Sequence, residues 1–376
     1  MTHEIKYEGP KRILQVVAKM NRGGLETFIM NVFRKIDHRK LQFDFLTQGE
    51  DDGAYDKEIK SLGGRIFQLS LRRKGIFRYN RDVNAFFNTH PEYNAVHFHI
   101  SSLSSVAALK AAKRNNIEIR VIHSHNSRGP KEIYHRLLHW WNQQSIDHLG
   151  THYFSCSDLA AIHLYGNKLR NKQVSVIKNA IETEKFIYNE KIREIVRDNL
   201  TLQDNYVIGH IGSFSYAKNH DFLIDIFSNV KQRCPKAILL LVGDGPLRPR
   251  MEQKIKRLDL GNSVKILGLR SDIPELLQAM DVFAFPSLYE GLPVTGIEAQ
   301  AAGLKCFFSD NITRQVDIAG LIKYIPLEEP ANRWAEEILS YQNGYHRKNT
   351  YSQINLAGFD IAGVAEQLAR IYLGEH

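Results

Sequence analysis

At 376 residues, with 43% apolar and 24% charged side chains, the chain exceeds what one hydrophobic core usually organises and is too apolar for extended disorder. No apolar run reaches the roughly 20 residues that cross a bilayer, and the amino end, MTHEIKYEGPKR, is acidic and basic by turns with no leader-like apolar core. The formal charge of +9 is uneven: residues 1–185 hold 29 Lys and Arg against 18 Asp and Glu, whereas 186–376 hold 21 against 23.

The basic half implies an anionic partner or membrane surface. No RNP, zinc-finger or helix-turn-helix pattern accompanies it, so no nucleic-acid partner is expected. Three widely spaced cysteines, Cys156, Cys234 and Cys306, in apolar contexts read as free buried thiols, and the expected compartment is the cytoplasm.

Ile13–Val17 is a strand-like run ending in Asn21-Arg22-Gly23-Gly24, after which Leu25, Phe28, Ile29, Val32 and Phe33 mark a helix. The paired glycines, Gly23 and Gly24, allow close backbone approach to a ligand. Strands at Phe43–Leu46, Arg65–Leu69, Ala95–Ile100, Ile119–His123 and Tyr153–Ser155 alternate with helical stretches at 54–62, 80–88 and 102–114, the pattern of a parallel sheet. After Val174–Ile177, the segment KNAIETEKF and a polar helix over 189–200 form a crossover, with a domain boundary near residue 185. The second half repeats the theme with strands Tyr206–Ile211, Ala237–Val242 and Val264–Leu267 and helices from Asp221 to Cys234 and on to Leu258. Residues 358–376 have a helical period through Ile361, Val364, Leu368 and Ile371 that suits packing back on the first domain.

Between them, DVFAFPSLYEGLPVTGIEAQAAGLK, Asp281–Lys305, reads as a buried strand, a glycine-containing loop and a helix from Thr295 to Ala302 stopped at Gly303. Glu290 then lies in a loop at the carboxyl end of a strand and Glu298 about a turn into the helix. The N–H groups of Gly291, Leu292, Val294 and Thr295, with Pro293 between them, sit where a helix start favours phosphate. Two carboxylates beside an anion cradle suit vicinal hydroxyls on both sides of a phosphate, which describes a nucleotide-sugar.

His123 and His125 alternate at a strand end and share one face. They read as ligand-facing groups, as hydrogen-bonded structural histidines or as a metal pair, though no ligand-spaced carboxylate or cysteine supports the last. His97 and His99 alternate likewise one strand earlier and read as structural. Gly243 and Gly245 in GDGP suit a tight strand-to-helix turn, because no third glycine completes a dinucleotide fingerprint. Arg72, Arg73, Lys74, Arg78 and Arg81 interleave with Ile76, Phe77 and Tyr79, and residues 131–144 add Tyr134, Leu137, Leu138, Trp140 and Trp141. Both stretches suit an anionic membrane or a lipid diphosphate, or else a solvated loop and an ordinary amphipathic core helix.

The Gly-Gly loop, HSHN at 123–126, KNAIETEKF at 178–186, Lys218, VGDGPL at 242–247, LGLRSDIPELL at 267–277 and Glu290-x7-Glu298 together closely resemble retaining glycosyltransferases of the GT-B fold, family 4, of the bacterial exopolysaccharide and capsule type. The resemblance implies two doubly wound Rossmann-like domains facing a central cleft. Residues 1–185 would bind acceptor, 186–357 would bind nucleotide-sugar, and 358–376 would cross back to the first domain. It implies that Glu298 binds ribose hydroxyls, that Glu290 binds the donor sugar and that Lys218 neutralises the diphosphate. The backbone at Gly23, Gly24 and Gly291–Thr295 would cradle the donor, that near Leu269 and Arg270 would read the base, and His123 or His125 would lie against the sugar.

The implied reaction moves a hexose from a UDP-sugar to a glycan or polyprenyl-diphosphate-linked acceptor, with retention of configuration, by an enzyme peripheral at the inner face of the cell membrane. No cofactor and no metal are expected, since the chain has no Asp-x-Asp triplet to hold an ion on a nucleotide-sugar. Ser213 occupies the place of an Arg that in the family joins the Lys, and Arg270 or Arg248 are the candidate substitutes. A nucleotide-sugar 2-epimerase of the same fold and a catalytically weakened sugar-nucleotide-binding assembly subunit are the alternatives.

Overall fold

The computed structural model describes residues 9–21, 23–72, 75–126, 132–169 and 172–375. The chain divides into two compact units, one running through Ala180 and resuming at Ile361, the other Ile181–Asp360.

The first unit holds β1 (Lys11–Val16), β2 (Leu41–Gln48), β3 (Ile66–Leu69), β4 (Ala95–Ile100), β5 (Ile119–Ser124), β6 (His152–Ser155) and β7 (Val174–Val176). They form one parallel sheet in the order β3-β2-β1-β4-β5-β6-β7. The order reverses between β1 and β4, the place where open α/β sheets leave a crevice at the strands' carboxyl ends. On one face of the sheet, Phe28, Ile29, Val32 and Phe33 of the helix Gly24–Lys35 pack with Val364, Leu368 and Tyr372 of the helix Ile361–Leu373. That carboxyl-terminal helix is therefore a core element of the first unit.

The second unit holds β8 (Tyr206–Ile211), β9 (Ala237–Val242), β10 (Val264–Ile266), β11 (Val282–Phe285), β12 (Lys305–Ser309) and β13 (Ile322–Ile325), parallel in the order β10-β9-β8-β11-β12-β13. Its switch point lies between β8 and β11. Both strands are buried along their whole length, as the runs YVIGHI and VFAF require of a sheet covered on two faces. Asp281, just before β11, accepts from the Val207 N–H at 2.7 Å and pairs with Arg193 and Arg197. It ties the helix Glu190–Asn199 to the amino end of the sheet.

The expected helix over 80–88 begins earlier, at Ile76, so half of the basic stretch 71–81 is helical. Gly75, at φ +160°, precedes its first turn. Cys306 is buried as expected, but Cys156 and Cys234 are half-exposed; all three are free.

Candidate functional site

Two loops leave the switch point of the second unit side by side. Pro286 has no N–H to extend the ladder and closes β11, and the chain turns across the loop that follows β8. Leu288 donates its N–H to the Ala217 carbonyl at 2.8 Å, and Asn219 Nδ2 donates to the Pro286 carbonyl at 3.0 Å. Asn219 holds φ +54°, a left-handed conformation that asparagine tolerates, and the helix His220–Arg233 starts from it. Lys218 is thereby set with Nζ 4.5 Å from the centre of the Phe285 ring and 2.8 Å from Glu290 Oε1. The carboxylate contact is an ion pair outside hydrogen-bond alignment, leaving Oε1 buried with no hydrogen-bond donor. Lys218 and Glu290 are thus mutual counter-ions, an arrangement the spacing of the two residues did not reveal.

The helix Val294–Ala301 starts one residue earlier than expected, after Pro293, with no side chain capping its first N–H groups. It lies close to the sheet because Gly296 has no side chain. A Cβ there would meet the Phe308 ring at 2.8 Å. At Gly291, by contrast, a Cβ would meet nothing within 4 Å, so the loop just before the helix borders open space there. Glu298, half-buried, has no hydrogen-bond or ion-pair partner among the described residues, and burial pushes its carboxyl up to about 7. Such a group waits for donors.

Ser213 is exposed and donates to Ser215 Oγ at 3.2 Å. Neither candidate substitute for the expected arginine is uncommitted. Arg248 lies between Glu252 (2.8 Å) and Asp244 (3.3 Å), and Arg270 forms a two-point pair with Asp272. Leu269 is 67% exposed beyond β10, while the Gly268 carbonyl before it accepts from the Gly243 N–H at 2.9 Å. Gly243, at φ +138°, lets the loop after β9 press on the loop after β8. A Cβ would stand 2.1 Å from the Gly212 carbonyl oxygen, and one at Gly245 2.7 Å from that of Phe214.

In the first unit, strand register assembles more histidines than the sequence singles out. Gln15 pairs with His97 across β1 and β4, and His99 with His123 across β4 and β5, so all face one side. Two hydrogen-bond wires result. One runs from the Tyr372 hydroxyl to His97 Nδ1 (2.5 Å) and from His97 Nε2 to His123 Nδ1 (3.1 Å). The other joins Gln15 Oε1 to His99 Nε2 (2.9 Å) and His99 Nδ1 to His125 Nε2 (2.9 Å). Burial drives all four imidazoles neutral, His125 down to about 3 and the others well below the usual range.

His123 and His125 do share a face, with ring centres 3.9 Å apart. His123 is 0% exposed, however, whereas His125 lies half-exposed just past β5. His97 and His99, read as structural, belong to the same cluster. Ligand atoms of His97, His99 and His123 fall within 4.8 Å of one another, a spacing that could admit a metal. Five of the six ring nitrogens of these three histidines are, however, already hydrogen-bonded to each other or to His125, Tyr372 and Gln15, leaving His123 Nε2 without a hydrogen-bond partner among the described residues. Gly24 begins the helix after β1, and a Cβ on it would meet open space. A Cβ on Gly23 would meet the Glu26 carboxylate.

The helix Ile133–Gln143 is inside out. His139 accepts from the Leu103 N–H at 3.1 Å, Asn142 donates to the Leu103 carbonyl, and Gln143 donates to the Leu164 carbonyl, so its polar side chains face the protein. Ile133 (73% exposed), Leu137 (61%), Trp140 (59%) and Trp141 (70%) face outward. This corrects the ordinary core-helix alternative. The neighbouring helix Asp158–Tyr165, joined by stacking of His163 on His139, adds exposed Leu159 and Ile162. Of the basic group, Arg78 is exposed and Arg72 donates to the Ser104 carbonyl at 2.8 Å; Arg73 and Lys74 lie outside the described residues. A cavity of about 450 Å³ in the second unit, lined by Tyr188, Asn205, Asp281 and Arg347, contains none of the candidate site residues.

Residues 22–185 match the family described as Glycosyltransferase Family 4, and residues 191–339 that described as Glycosyl transferases group 1. EpsF of Bacillus subtilis, which carries the name of a glycosyltransferase, is 36% identical over 370 residues, 96% of each chain. The capsular polysaccharide biosynthesis glycosyltransferase CapH of Staphylococcus aureus is 24% identical over 97% of this chain and 99% of its own. The UDP-Gal:alpha-D-GlcNAc-diphosphoundecaprenol alpha-1,3-galactosyltransferase of Escherichia coli is 32% identical over 142 residues, 37% of each chain. Among solved structures, Anabaena HepE in complex with UDP has a TM-score of 0.76 at 20% identity, covering 96% of this chain and 100% of its own. With two switch-point sheets and 36% identity to EpsF over nearly the full length of both chains, the chain belongs to the family 4 glycosyltransferases of the GT-B fold.

Proposed function

We propose that this glycosyltransferase moves a hexose from a UDP-sugar to a lipid-diphosphate-linked glycan acceptor, retaining the anomeric configuration, in the synthesis of surface polysaccharide. The observation that carries the reading is the set of groups at the second unit's switch point. Among the described residues, Lys218 and Glu290 form ion pairs only with each other, Glu298 has no hydrogen-bond or ion-pair partner, and open space lies at Gly291. A UDP-sugar satisfies all of them at once. Its diphosphate takes Lys218 and the helix start, its ribose hydroxyls donate to Glu298, and its sugar hydroxyls donate to Glu290.

The UDP complex of HepE and the names of the Escherichia coli and Staphylococcus aureus relatives support the donor, the lipid-linked acceptor and the polysaccharide. Among the described residues no side-chain nucleophile stands out, and the reading is the front-face attack that the family resemblance implies, with the leaving diphosphate helping to deprotonate the acceptor. Lys218 and the helix start carry the leaving charge without a divalent ion. Calorimetry with UDP, UDP-glucose and UDP-galactose, followed by NMR of the anomeric proton of the transferred sugar, tests donor and stereochemistry. Inversion, or activity abolished by chelators, would refute these points.

The outward aromatic helix, in the half of the chain with the positive balance, supports docking on an anionic membrane face where a lipid-linked acceptor resides. A second reading, a weakened sugar-nucleotide-binding subunit, is favoured by one observation. Ser213 carries no charge, and Arg248 and Arg270 are already paired with carboxylates. UDP-sugar binding without UDP release across a panel of lipid-linked acceptors would establish it. Free UDP formed only in the presence of acceptor would exclude it, and a 2-epimerase as well.

A further inference from the structure

At the carboxyl end of β8 an imidazole lies sealed beneath the second unit's site. His210 is 0% exposed, and its Nδ1 stands 2.8 Å from the Ala284 carbonyl on β11. A carbonyl oxygen only accepts, so Nδ1 carries the hydrogen. Burial, with His220 and Lys218 adding to it, drives the ring well below its usual range and keeps it neutral, so Nε2 is a bare lone pair. Among the described residues no hydrogen-bond donor reaches that nitrogen. Yet the point a Cβ on Gly212 would occupy is 3.2 Å from His210 Nε2 and 3.1 Å from both Cδ and Cε of Lys218. The lone pair and the lysine stem therefore share the space that the glycine leaves open. Both also lie against Phe285, on which His210 stacks and whose ring centre is 4.5 Å from Lys218 Nζ. His220 packs edge-on against His210, ring centres 4.7 Å apart, without a hydrogen bond to it.

We infer that His210 is a positioning residue for Lys218: when a diphosphate draws the ammonium off Glu290, His210 Nε2 accepts one of its hydrogens and so sets where the others point. An ammonium on a flexible stem has three donors and no direction of its own. In the free protein Lys218 meets Glu290 as an ion pair outside hydrogen-bond alignment, so its donors are not yet committed to an aligned acceptor. A buried acceptor beside it is unfavourable until a donor arrives, and the lysine is the donor at hand. The contact forms between two side chains already inside the protein and needs no opening to solvent. With Ser213 uncharged and Arg248 and Arg270 paired to carboxylates, the aim of this ammonium counts for more. A cation held in place before charge develops on a leaving group needs no reorganisation when it does. The inference rests on the transferase reading for what Lys218 points at, and on the second unit alone for the contact between Lys218 and His210.

The test uses full-length protein labelled with 15N-histidine, the His210 signals being assigned by their loss in His210→Gln. In the free protein at pH 7, 15N–1H correlations should show His210 protonated at Nδ1 and bare at Nε2; a proton on Nε2 overturns the inference. Glu290→Gln removes the counter-charge without any ligand, and the His210 Nε2 resonance should then move upfield as it accepts from Lys218. Adding Lys218→Met should abolish that movement. No movement in Glu290→Gln, or the same movement without the lysine, overturns the contact. Turnover separates positioning from packing. His210→Asn can still donate to the Ala284 carbonyl but offers no acceptor at the Nε2 position, whereas the longer amide of His210→Gln reaches it. With UDP-glucose and a lipid-linked acceptor, His210→Asn should lower kcat by about tenfold or more while UDP affinity falls no more than severalfold, and His210→Gln should recover most of the turnover. A purely structural role gives the reverse order. Wild-type turnover in His210→Asn, or equal loss in the two variants, overturns the positioning role; where His210→Asn does not fold, the Glu290→Gln spectra carry the decision. Failure of the wild-type protein to bind UDP refutes the transferase reading instead, and the ligand-free spectra still decide the contact.

Discussion

Glu298 offers a test that separates its energetic role in the fold from its role in binding. Its carboxyl is raised from an ordinary 4.5 to about 7 by burial with no donor nearby. The folded chain therefore holds this proton more tightly than the unfolded chain does, and between those two values stability falls as pH rises; above about pH 7 the full cost is present. At about 1.4 kcal/mol per pH decade, and discounted for the edge of the side chain that solvent reaches, the cost is roughly 1–3 kcal/mol. Glu298→Gln removes the charge and should stabilise the protein by that amount at pH 8 and by little at pH 5.

With ribose hydroxyls donating to the carboxylate, as proposed, UDP should bind the ionised form. Affinity for UDP should then rise with pH, by about tenfold between pH 6 and pH 8 if the neutral form does not bind. Glu298→Gln should flatten that profile and weaken binding at pH 8 by about tenfold or more, since a charge-assisted contact contributes roughly 1.5–3 kcal/mol. Denaturation at pH 5 and pH 8 and calorimetry in buffers of different ionisation enthalpy read both effects. A wild-type UDP affinity that is flat from pH 6 to pH 8, with no proton released on binding, would refute the assignment of Glu298 to the ribose.

Other expectations follow from the same geometry. Lys218→Met should lower turnover by two orders of magnitude or more, because it removes the side-chain cation at the leaving group, and it should also destabilise the fold, since Glu290 is left buried and unpaired; a melting curve and single-turnover kinetics check both. Gly291→Ala has room in the free protein, so its melting temperature should stay within about 1–2 °C of wild type while donor affinity drops severalfold; equal affinity would show that nothing approaches that backbone. Replacing Trp140 and Trp141 together by Ala should weaken co-sedimentation with anionic liposomes by about tenfold or more without loss of stability, each aromatic ring being worth up to roughly 2 kcal/mol on transfer. High salt should release the wild-type protein, and indifference to lipid charge would remove the membrane assignment.

Strands buried on both faces appear in sequence as short apolar runs, which is why VFAF and YVIGHI were legible and why the βα alternation gave two doubly wound units. The edge of the second sheet was not legible. In β13, IKYI, Lys323 and Tyr324 face partly outward, and no continuous run marks the strand. Helical spacing finds an apolar stripe but not its direction. Around Trp140 it left a membrane-facing stripe and an ordinary core face both open, whereas His139, Asn142 and Gln143 hold the helix to the protein through hydrogen bonds that no hydropathy pattern records. The histidine cluster was half legible, since alternation places His123 with His125. The pairing of β4 with β5 and of β1 with β4 that adds His97, His99 and Gln15 is a property of strand order.

The Lys218 and Glu290 pair also bears on how a catalytic cycle would end. On the proposed reaction, each charge would have a partner on the ligand while a whole UDP-sugar is bound. Once the sugar had left with the acceptor, UDP would still occupy Lys218, but Glu290 would face neither hydroxyls nor ammonium. Re-forming the 2.8 Å contact would relieve that cost and compete directly with the departing diphosphate. The pair would then act as an internal competitor whose strength depends on whether the sugar is present, biasing the site toward holding substrate and shedding product.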